Sequence, residues 1–527
     1  MKKTKTIFPP LVFMMFILVM CFSAAAQPTI AWMHSYGGSG YDDQSDIQST
    51  IDGGYIMAGT STSNDGDVTA NHGAQDCWIV KLNTQGNIDW QKSYGGTLGD
   101  NVTSIRQTME GGYIFAGYSN SYDGDVLGHI GGQDYWIVKL SASGAIEWQK
   151  TLGGAGSDRA FAIQQTFDGG YIVAGISNST NGNVTGNHGG NDYWLVRLDQ
   201  AGNMKWQKSY GGSQTDEAYS VEQTIDGGFI IGGYSLSNNG DITSPHGGYD
   251  VWIIKTDTAG TITWQKSYGG LNTDNSQSAG QTSDNGYIIG AYTMSSDNDV
   301  TLNYGSYDFW IAKLNTSGTI SWQKTFGGTS YDIVKSLKQT DDGGYIIAGY
   351  TGSNNHDVTI NYGSNDYWVV KLDDAGNKAW QKSYGGTGND AANTILQAED
   401  DGFIVGGSSY SNDIDVSGNH GYSDFWIVKL SPVVGLNTIA GMNDYISVFP
   451  NPCNTEATIT YTLKENSYVK LNICDITGKE IVSLANEFQM TGTHNLDFNA
   501  SKLANGLYFF NFKTNHSVVT GKFTVSR

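Results

Sequence analysis

Pairs of oxygen-bearing side chains two residues apart recur seven times in this chain: Asp65/Asp67, Asp123/Asp125, Asn181/Asn183, Asn239/Asp241, Asp297/Asp299, Asn355/Asp357 and Asp413/Asp415. Each pair lies in a Gly-containing loop such as "SNDGDVTANHGAQD" (63–76). Carboxylates and amides at that spacing, with Gly to turn the chain, suit a hard cation such as Ca²⁺. The same letters also form Asx turns, and the twelve-residue calcium loop is not complete. His72, His188, His246 and His420 share one position of the loop, which Ile130, Tyr304 and Tyr362 fill elsewhere. One His per copy cannot converge on a single transition metal, so this position reads as loop packing.

Two further carboxylates recur. One opens the phrase "DYWIVKL" and its variants (Asp76, Asp134, Asp192, Asp250, Asp308, Asp366, Asp424), and the other follows a Gly pair (Asp42, Asp100, Asp158, Asp216, Asp274, Asp332, Asp390). Paired carboxylates can perform acid and base chemistry, but a catalytic pair differs from its surroundings. Seven equal copies read instead as acceptors for backbone N–H groups at strand ends. No H-E-x-x-H, G-x-S-x-G or phosphate-loop pattern occurs.

The elements that hold these residues follow from one period. Trp32, Trp90, Trp148, Trp206, Trp264, Trp322 and Trp380 are spaced by 58 residues, as are Trp78, Trp136, Trp194, Trp252, Trp310, Trp368 and Trp426. A fixed period means units that bury their faces on one another. One copy contains four strand-like runs: "TSIRQT" (103–108), "YIFAGYS" (113–119), "DYWIVKL" (134–140) and "IEWQKTL" (146–152). The first two are joined by Glu-Gly or Asp-Gly, read as a two-residue hairpin turn. The last two are joined through Gly144 or its equivalents Gly86, Gly202, Gly260, Gly318 and Gly376, which should be left-handed. Four antiparallel strands per copy make a propeller blade. The seventh copy lacks its last strand and the chain begins with one, "IAWMHSY", so the N-terminal strand should close the ring and leave no open edge. The fourteen Trp then read as wedges between blades.

The fold class expected is all-β: a seven-bladed propeller over 27–431, a linker over 432–443 and a small antiparallel sandwich over 444–527. Seventy Gly and 31 Tyr against seven Pro agree with that. Residues 1–26 carry Lys2, Lys3 and Lys5, an apolar run and "SAAA", the features of a secretory signal cleaved between Ala26 and Gln27. No later stretch has the length of a membrane span. Of the net charge of −22, residues 27–443 hold 19 basic and 44 acidic side chains, whereas 444–527 hold 7 and 7. That acidity excludes nucleic acid and anionic membrane as partners. Cys77, Cys453 and Cys474 remain after cleavage, an odd number that makes no disulfide framework, although Cys453 and Cys474 could pair. Cys77 stands where other copies have Tyr, Phe or Val and reads as an apolar core residue.

The stretch "WQKSYGGTLGDNVTSIRQTMEGGYIFAGYSNS" resembles a bacterial β-propeller repeat family, and "WIVKLNTQGNIDW" is similar to the hairpin of quinoprotein propellers. The resemblance implies a fold more than an activity. The C-terminal segment resembles the type A sorting domain of the type IX secretion system of Bacteroidota through Pro450-Asn451-Pro452, Asp475 with Gly478, Leu503 with Gly506 and Tyr508, and Lys522-Phe523 with Val525. It departs from that family at Phe449 and Cys474, where Tyr is common. This resemblance implies secretion or outer-membrane surface display, the type IX machinery as a partner, and removal of the domain during export.

Function should lie where the copies disagree. Loops between second and third strands and loops between blades emerge on one face, where Tyr41, Tyr249, Tyr307, Tyr331 and Tyr422 suit glycan or protein contact. The first strands disagree at Gln48, Arg106, Gln164, Glu222, Gly280, Lys338 and Leu396, which places Arg106, Glu222 and Lys338 in the central channel. The sequence therefore reads as a monomeric exported binding or structural module for a glycan or surface protein. The alternative is a carbohydrate-active hydrolase or lyase with one asymmetric site.

Overall fold

A computed structural model describes residues 27–432, 446–463, 466–476, 478–514 and 518–527. The expected signal segment 1–26 with Ala26, and residues 433–443 of the expected linker, lie outside the described residues. Gln27 is the first residue described.

Residues 30–430 form seven four-stranded antiparallel sheets. Blade 2 shows the plan: Asp100–Gln107, Tyr113–Ser119, Asp134–Leu140 and Ile146–Leu152, paired in chain order. The last three match the sequence reading to the residue. The first begins three residues earlier, because Asp100 is buried and polar only in name: its oxygens are occupied by loop donors. First strands of successive blades neighbour one another in a closed circuit, so they line the central channel.

The ring closes as expected. Ile30–Tyr36 pairs antiparallel with Asp424–Leu430, from Ile30 opposite Leu430 to Tyr36 opposite Phe425, and becomes the outer strand of blade 7.

The hairpin between first and second strands differs from the two-residue turn read from Asp-Gly. In blade 1, Gly53 N–H donates to Thr50 O (2.8 Å) and Thr50 N–H to Gly54 O (2.9 Å), and only Gly53 has positive φ (79°). This is a type I turn followed by a left-handed residue. Asp52 is spent otherwise. Its Oδ1 accepts from Thr50 Oγ1 (2.5 Å), Gly54 N–H (3.0 Å) and the ammonium of Lys81 (3.1 Å). Lys81, the Lys of the "DYWIVKL" phrase, is buried and also caps Leu82 O (2.9 Å). The same cation–carboxylate tie recurs in every blade, from Lys139 with Glu110 to Lys429 with Asp400.

The turn glycines between third and fourth strands are left-handed as expected (φ 84° at Gly86, 76° at Gly144). They also touch the previous blade: a Cβ on Gly144 would come 3.0 Å from Trp90 Cζ3. Gly144 O accepts the Tyr94 hydroxyl (2.5 Å), a stitch repeated by Tyr36 on Gly86 O and Tyr268 on Gly318 O. Gly144→Ala should therefore cost about 1–3 kcal/mol, from the forced φ and the Trp90 contact together. Thermal or denaturant melting checks this, and an unchanged midpoint would contradict it.

Trp78, Trp136, Trp194, Trp252, Trp310, Trp368 and Trp426 are fully buried, each in a core cluster shared by two sheets, as the reading of them as wedges requires. Trp32 and most of its equivalents are only partly buried and pack edge-on against the next blade, as Trp90 does on Tyr113 (5.8 Å, 62°). Cys77 is buried among Ile79, Tyr94 and Phe115.

Beyond the ring, a three-stranded sheet (Ile446–Phe449, Glu456–Leu463, Gly492–Asn499) faces a four-stranded one (Glu480–Gln489, Ser467–Cys474, Gly506–Lys513, Val518–Val525). The alternating Val469, Leu471 and Ile473 meet Ile459, Tyr461, Phe512 and Phe523 in one core, the expected sandwich. Cys453 and Cys474 are both buried free thiols. Among the described residues no helix is long and apolar enough to cross a membrane.

Candidate functional site

The loops between second and third strands meet the loops between blades on one face. In blade 1, Asp67 N–H donates to Gly37 O (2.8 Å). Asp65 Oδ1 accepts Ser39 N–H (2.7 Å), and Asp67 Oδ2 accepts Gly37 N–H (3.3 Å). The other oxygen pairs repeat this: Asp123 accepts from Thr97 N–H and Asp125 from Gly95 N–H, Asp297 from Leu271 N–H and Asp299 from Gly269 N–H, Asp413 from Thr387 N–H and Asp415 from Gly385 N–H. Asn181, Asn239 and Asn355 make the same bond with a neutral oxygen (2.8–3.0 Å), so the position calls for an acceptor rather than a charge. Any cation would compete with these amides. Among the described residues no three His, Cys, Asp or Glu side chains gather as a metal set. EDTA is expected to leave the melting curve unchanged, and a drop of several degrees would return these pairs to calcium.

The two recurrent Asp residues come together at each blade junction. Asp42 Oδ2 accepts Gly38 N–H (2.7 Å) and the Ser63 hydroxyl (2.8 Å), while Asp424 Oδ2 accepts His420 N–H (2.9 Å). Asp42 Oδ2 and Asp424 Oδ1 each lie 2.6 Å from the point that a Cβ on Gly37 would occupy. The Oδ1 atoms of Asp76, Asp134, Asp192, Asp250, Asp308, Asp366 and Asp424 are buried without a hydrogen-bond partner. The shared His position does more than pack a loop. His72 and His188 Nδ1 lie 2.8 Å from Asp76 and Asp192 Oδ2, and His420 Nδ1 lies 2.6 Å from Asp424. Burial pushes Asp192 and Asp250 up to about 6. Asp308 and Asp366, whose loops carry Tyr304 and Tyr362 in place of His, reach about 7 through burial and the neighbouring carboxylates.

The candidate tyrosines separate into two groups on this face. Exposed Tyr41 and Tyr422 stack on each other (4.8 Å, 12°) at the seam of blades 7 and 1. Tyr249 and Tyr307 are half-buried and meet Tyr234 and Tyr292 edge-on (5.0 and 5.2 Å). Exposed Tyr331 lies 5.8 Å from Tyr307. Between blades 5 and 6 a cleft of about 380 Å³ is lined by Tyr292, Tyr307, Tyr331, Ile333, Lys335, Tyr350 and Asn365.

Arg106, Glu222 and Lys338 come from blades 2, 4 and 6 and still act on one another, which first strands of separate blades can do only across the channel. Arg106 is held by Asp46 of blade 1, an ion pair that the sequence reading missed. Glu222 accepts Gln281 N–H (3.0 Å). Burial raises the Glu222 carboxyl, while Lys338 is exposed to the channel, where the enclosing ring of strands and then the Arg106 charge lower its ammonium.

Sequence reasoning also missed a second variable position. Every first strand slips register around one residue, between Val334 and Ser336 in blade 6. The bulged residues are Ser45, Thr103, Phe161, Tyr219, Gln277, Lys335 and Asn393, all different in type. Phe161 stacks on Tyr219 (5.0 Å, 27°) across the blade boundary, and Lys335 enters the tyrosine cleft. Bulges re-aim side chains next to functional sites. The signal was available, since this position varies as much as the channel position chosen.

Residues 447–526 match the family described as "Secretion system C-terminal sorting domain". With the ring of blades, this defines a cell-surface propeller exported by the type IX secretion system. Over 396 residues the chain is 24% identical to "Regulatory protein FlaEY" of Caulobacter vibrioides, a match covering 65% of this chain. The chain spans about two fifths (40%) of that protein's length. Among solved structures, a puromycin hydrolase is similar at 9% identity and TM-score 0.44, covering 81% of this chain and 59% of that one. PorZ, titled a surface component of the type IX secretion system of Porphyromonas gingivalis, is similar at 10% identity and TM-score 0.21, covering 94% and 75%.

Proposed function

We propose that this exported propeller is a glycan-binding module that takes a sugar residue into the cleft between blades 5 and 6. The observation that carries the reading is the convergence of Tyr292, Tyr307, Tyr331 and Tyr350 with Lys335 and Asn365 in one cleft on the loop face. Aromatic faces stack on pyranose rings, and a few polar groups at the rim then set orientation. The other blades lack this set. Tyr118 and Tyr234 repeat the second-strand tyrosine and Tyr249 the loop tyrosine, but the seam of blades 4 and 5 has Thr273 and Gln277 where this one has Tyr331 and Lys335.

A glycan array with the chain from Gln27 onward tests the reading. Tyr331→Ala is expected to weaken the best ligand about fivefold, the loss of roughly 1 kcal/mol of ring contact. Absence of binding to every glycan would sink the proposal. The enzymatic alternative has its own observation, the charged Glu222, Lys338 and Arg106 acting on one another across the channel. Glycan cleavage abolished by Glu222→Gln would favour it.

A further inference from the structure

Lys335 has no hydrogen-bond or ion-pair partner among the described residues. The Lys or Arg of each third strand, by contrast, has a carboxylate, and Arg106 in the channel has Asp46. Lys335 is also the bulged residue of Asp332–Gln339, and its equivalents are Ser, Thr, Phe, Tyr, Gln and Asn, so the fold does not require a cation there. Its surroundings are four tyrosine rings, Ile333 and Asn365. The side chain is partly exposed in the cleft and its ammonium faces no counter-charge, so an anion entering there would gain a charge-assisted pairing that the fold itself does not supply. Burial already disfavours its charged form.

From this geometry we infer that the cleft selects an anionic sugar, with Lys335 pairing to a carboxylate or sulfate ester while the tyrosines hold the ring. The inference rests on the glycan reading above. It also accounts for selectivity: with a net charge of −22 the chain repels polyanions at large, so an anion binds only where a cation is locally placed. The rim tyrosines supply hydroxyl donors for the remaining anion oxygens.

The test uses the chain from Gln27 onward and four probes: polygalacturonate, its fully methyl-esterified form, a sulfated galactan and the same galactan desulfated. Binding to at least one charged probe is expected to exceed binding to its neutral counterpart about tenfold or more, the worth of a charge-assisted hydrogen bond. Which charged probe binds distinguishes carboxylate from sulfate. Lys335→Met should erase that preference, Lys335→Arg should keep it, and raising NaCl should weaken the wild type more than Lys335→Met. Near-UV circular dichroism and the melting midpoint show that each variant is folded. Equal affinity of wild type and Lys335→Met for the charged probe overturns the inference and leaves the glycan reading in place. Binding to the neutral probes alone does the same. Failure of all four probes together with the glycan array removes the reading itself.

Discussion

A chain that begins at Gly37, without the strand Ile30–Tyr36, is expected to melt at least 10 °C lower than one that begins at Gln27, or to aggregate on expression. The strand joins two ends of the ring at once. Its ladder with Asp424–Leu430 completes blade 7, and Ser431 N–H donates to Thr29 O (2.8 Å) beyond it. Trp32 and Tyr36 pack with Tyr55, Met57 and Trp78 of blade 1, and the Tyr36 hydroxyl donates to Gly86 O (2.5 Å). Each buried aromatic removes roughly 150–250 Å² from water, worth several kcal/mol. That is a large share of the 5–15 kcal/mol by which domains are stable. Truncation also bares Asp424–Leu430 as an unpaired edge rich in apolar residues, a template for association between chains. Light scattering and thermal melting of the two chains decide the matter. A truncated chain that stays monomeric and melts within about 3 °C of the parent would refute the closure argument.

What the sequence made legible follows the physics of each element. "DYWIVKL" is buried on both faces, so all seven copies were constrained alike and its bounds were readable to the residue. The first strands were harder. Their opening "D-N-V" has turn letters, yet Asp100 is drawn inside by the Gly96 amide and the Ser121 hydroxyl, contacts made across loops that no local pattern reveals. Lys338 stood out because the copies disagree at its position; they disagree equally at Lys335, but the bulge that sets its side chain apart from the strand's alternation depends on pairing with the second strand and cannot be seen locally. Tyr307 and Tyr331 were readable because they stand in variable loops. Tyr292 and Tyr350 were not, because a tyrosine inside "YIIAGY" reads as core until the cleft beside it is seen. The Asp/Asn pairs were legible as oxygen donors, but only the loop from the preceding blade shows that backbone amides already take those oxygens.

Lowering the pH from 8 to 5 is expected to stabilise the propeller, and Asp308→Asn should reproduce much of that gain at pH 8. Asp308 Oδ2 accepts Tyr304 N–H (2.6 Å), while its Oδ1 has no partner and lies, with Asp332 Oδ2, within 2.7 Å of the point that a Cβ on Gly327 would fill. Burial comes first, followed by the Asp332 and Asp357 charges, in pushing its carboxyl to about 7. Asp366 reaches about 7 beside Asp390 and Asp415 in the same way. In the open chain both would titrate near 4. Between about pH 4 and 7 the folded state therefore holds protons that the unfolded state has lost, so stability falls as pH rises through that window and levels off above it. For Asp308 the cost at pH 8 is on the order of 2–4 kcal/mol. The Lys-tied carboxylates do not mask the effect. Hydrogen bonds and the Lys81 and Lys313 charges outweigh burial and hold Asp52 and Asp284 down to about 2, so their contribution is complete above pH 5 and is lost only at more acidic pH. In Asp308→Asn the amide oxygen keeps the Tyr304 bond, and the neutral amide ends the repulsion from the Asp332 and Asp357 charges. The variant should melt several degrees higher than the parent at pH 8 and within a degree or two of it at pH 5, where the parent's carboxyl is protonated. Asp366→Asn should add to it, since the two junctions lie in separate seams. Melting midpoints flat from pH 5 to 8, or an equal loss in Asp308→Asn at both, would show that the junction carboxyls are ionised in the fold and that the orphaned oxygens have another partner.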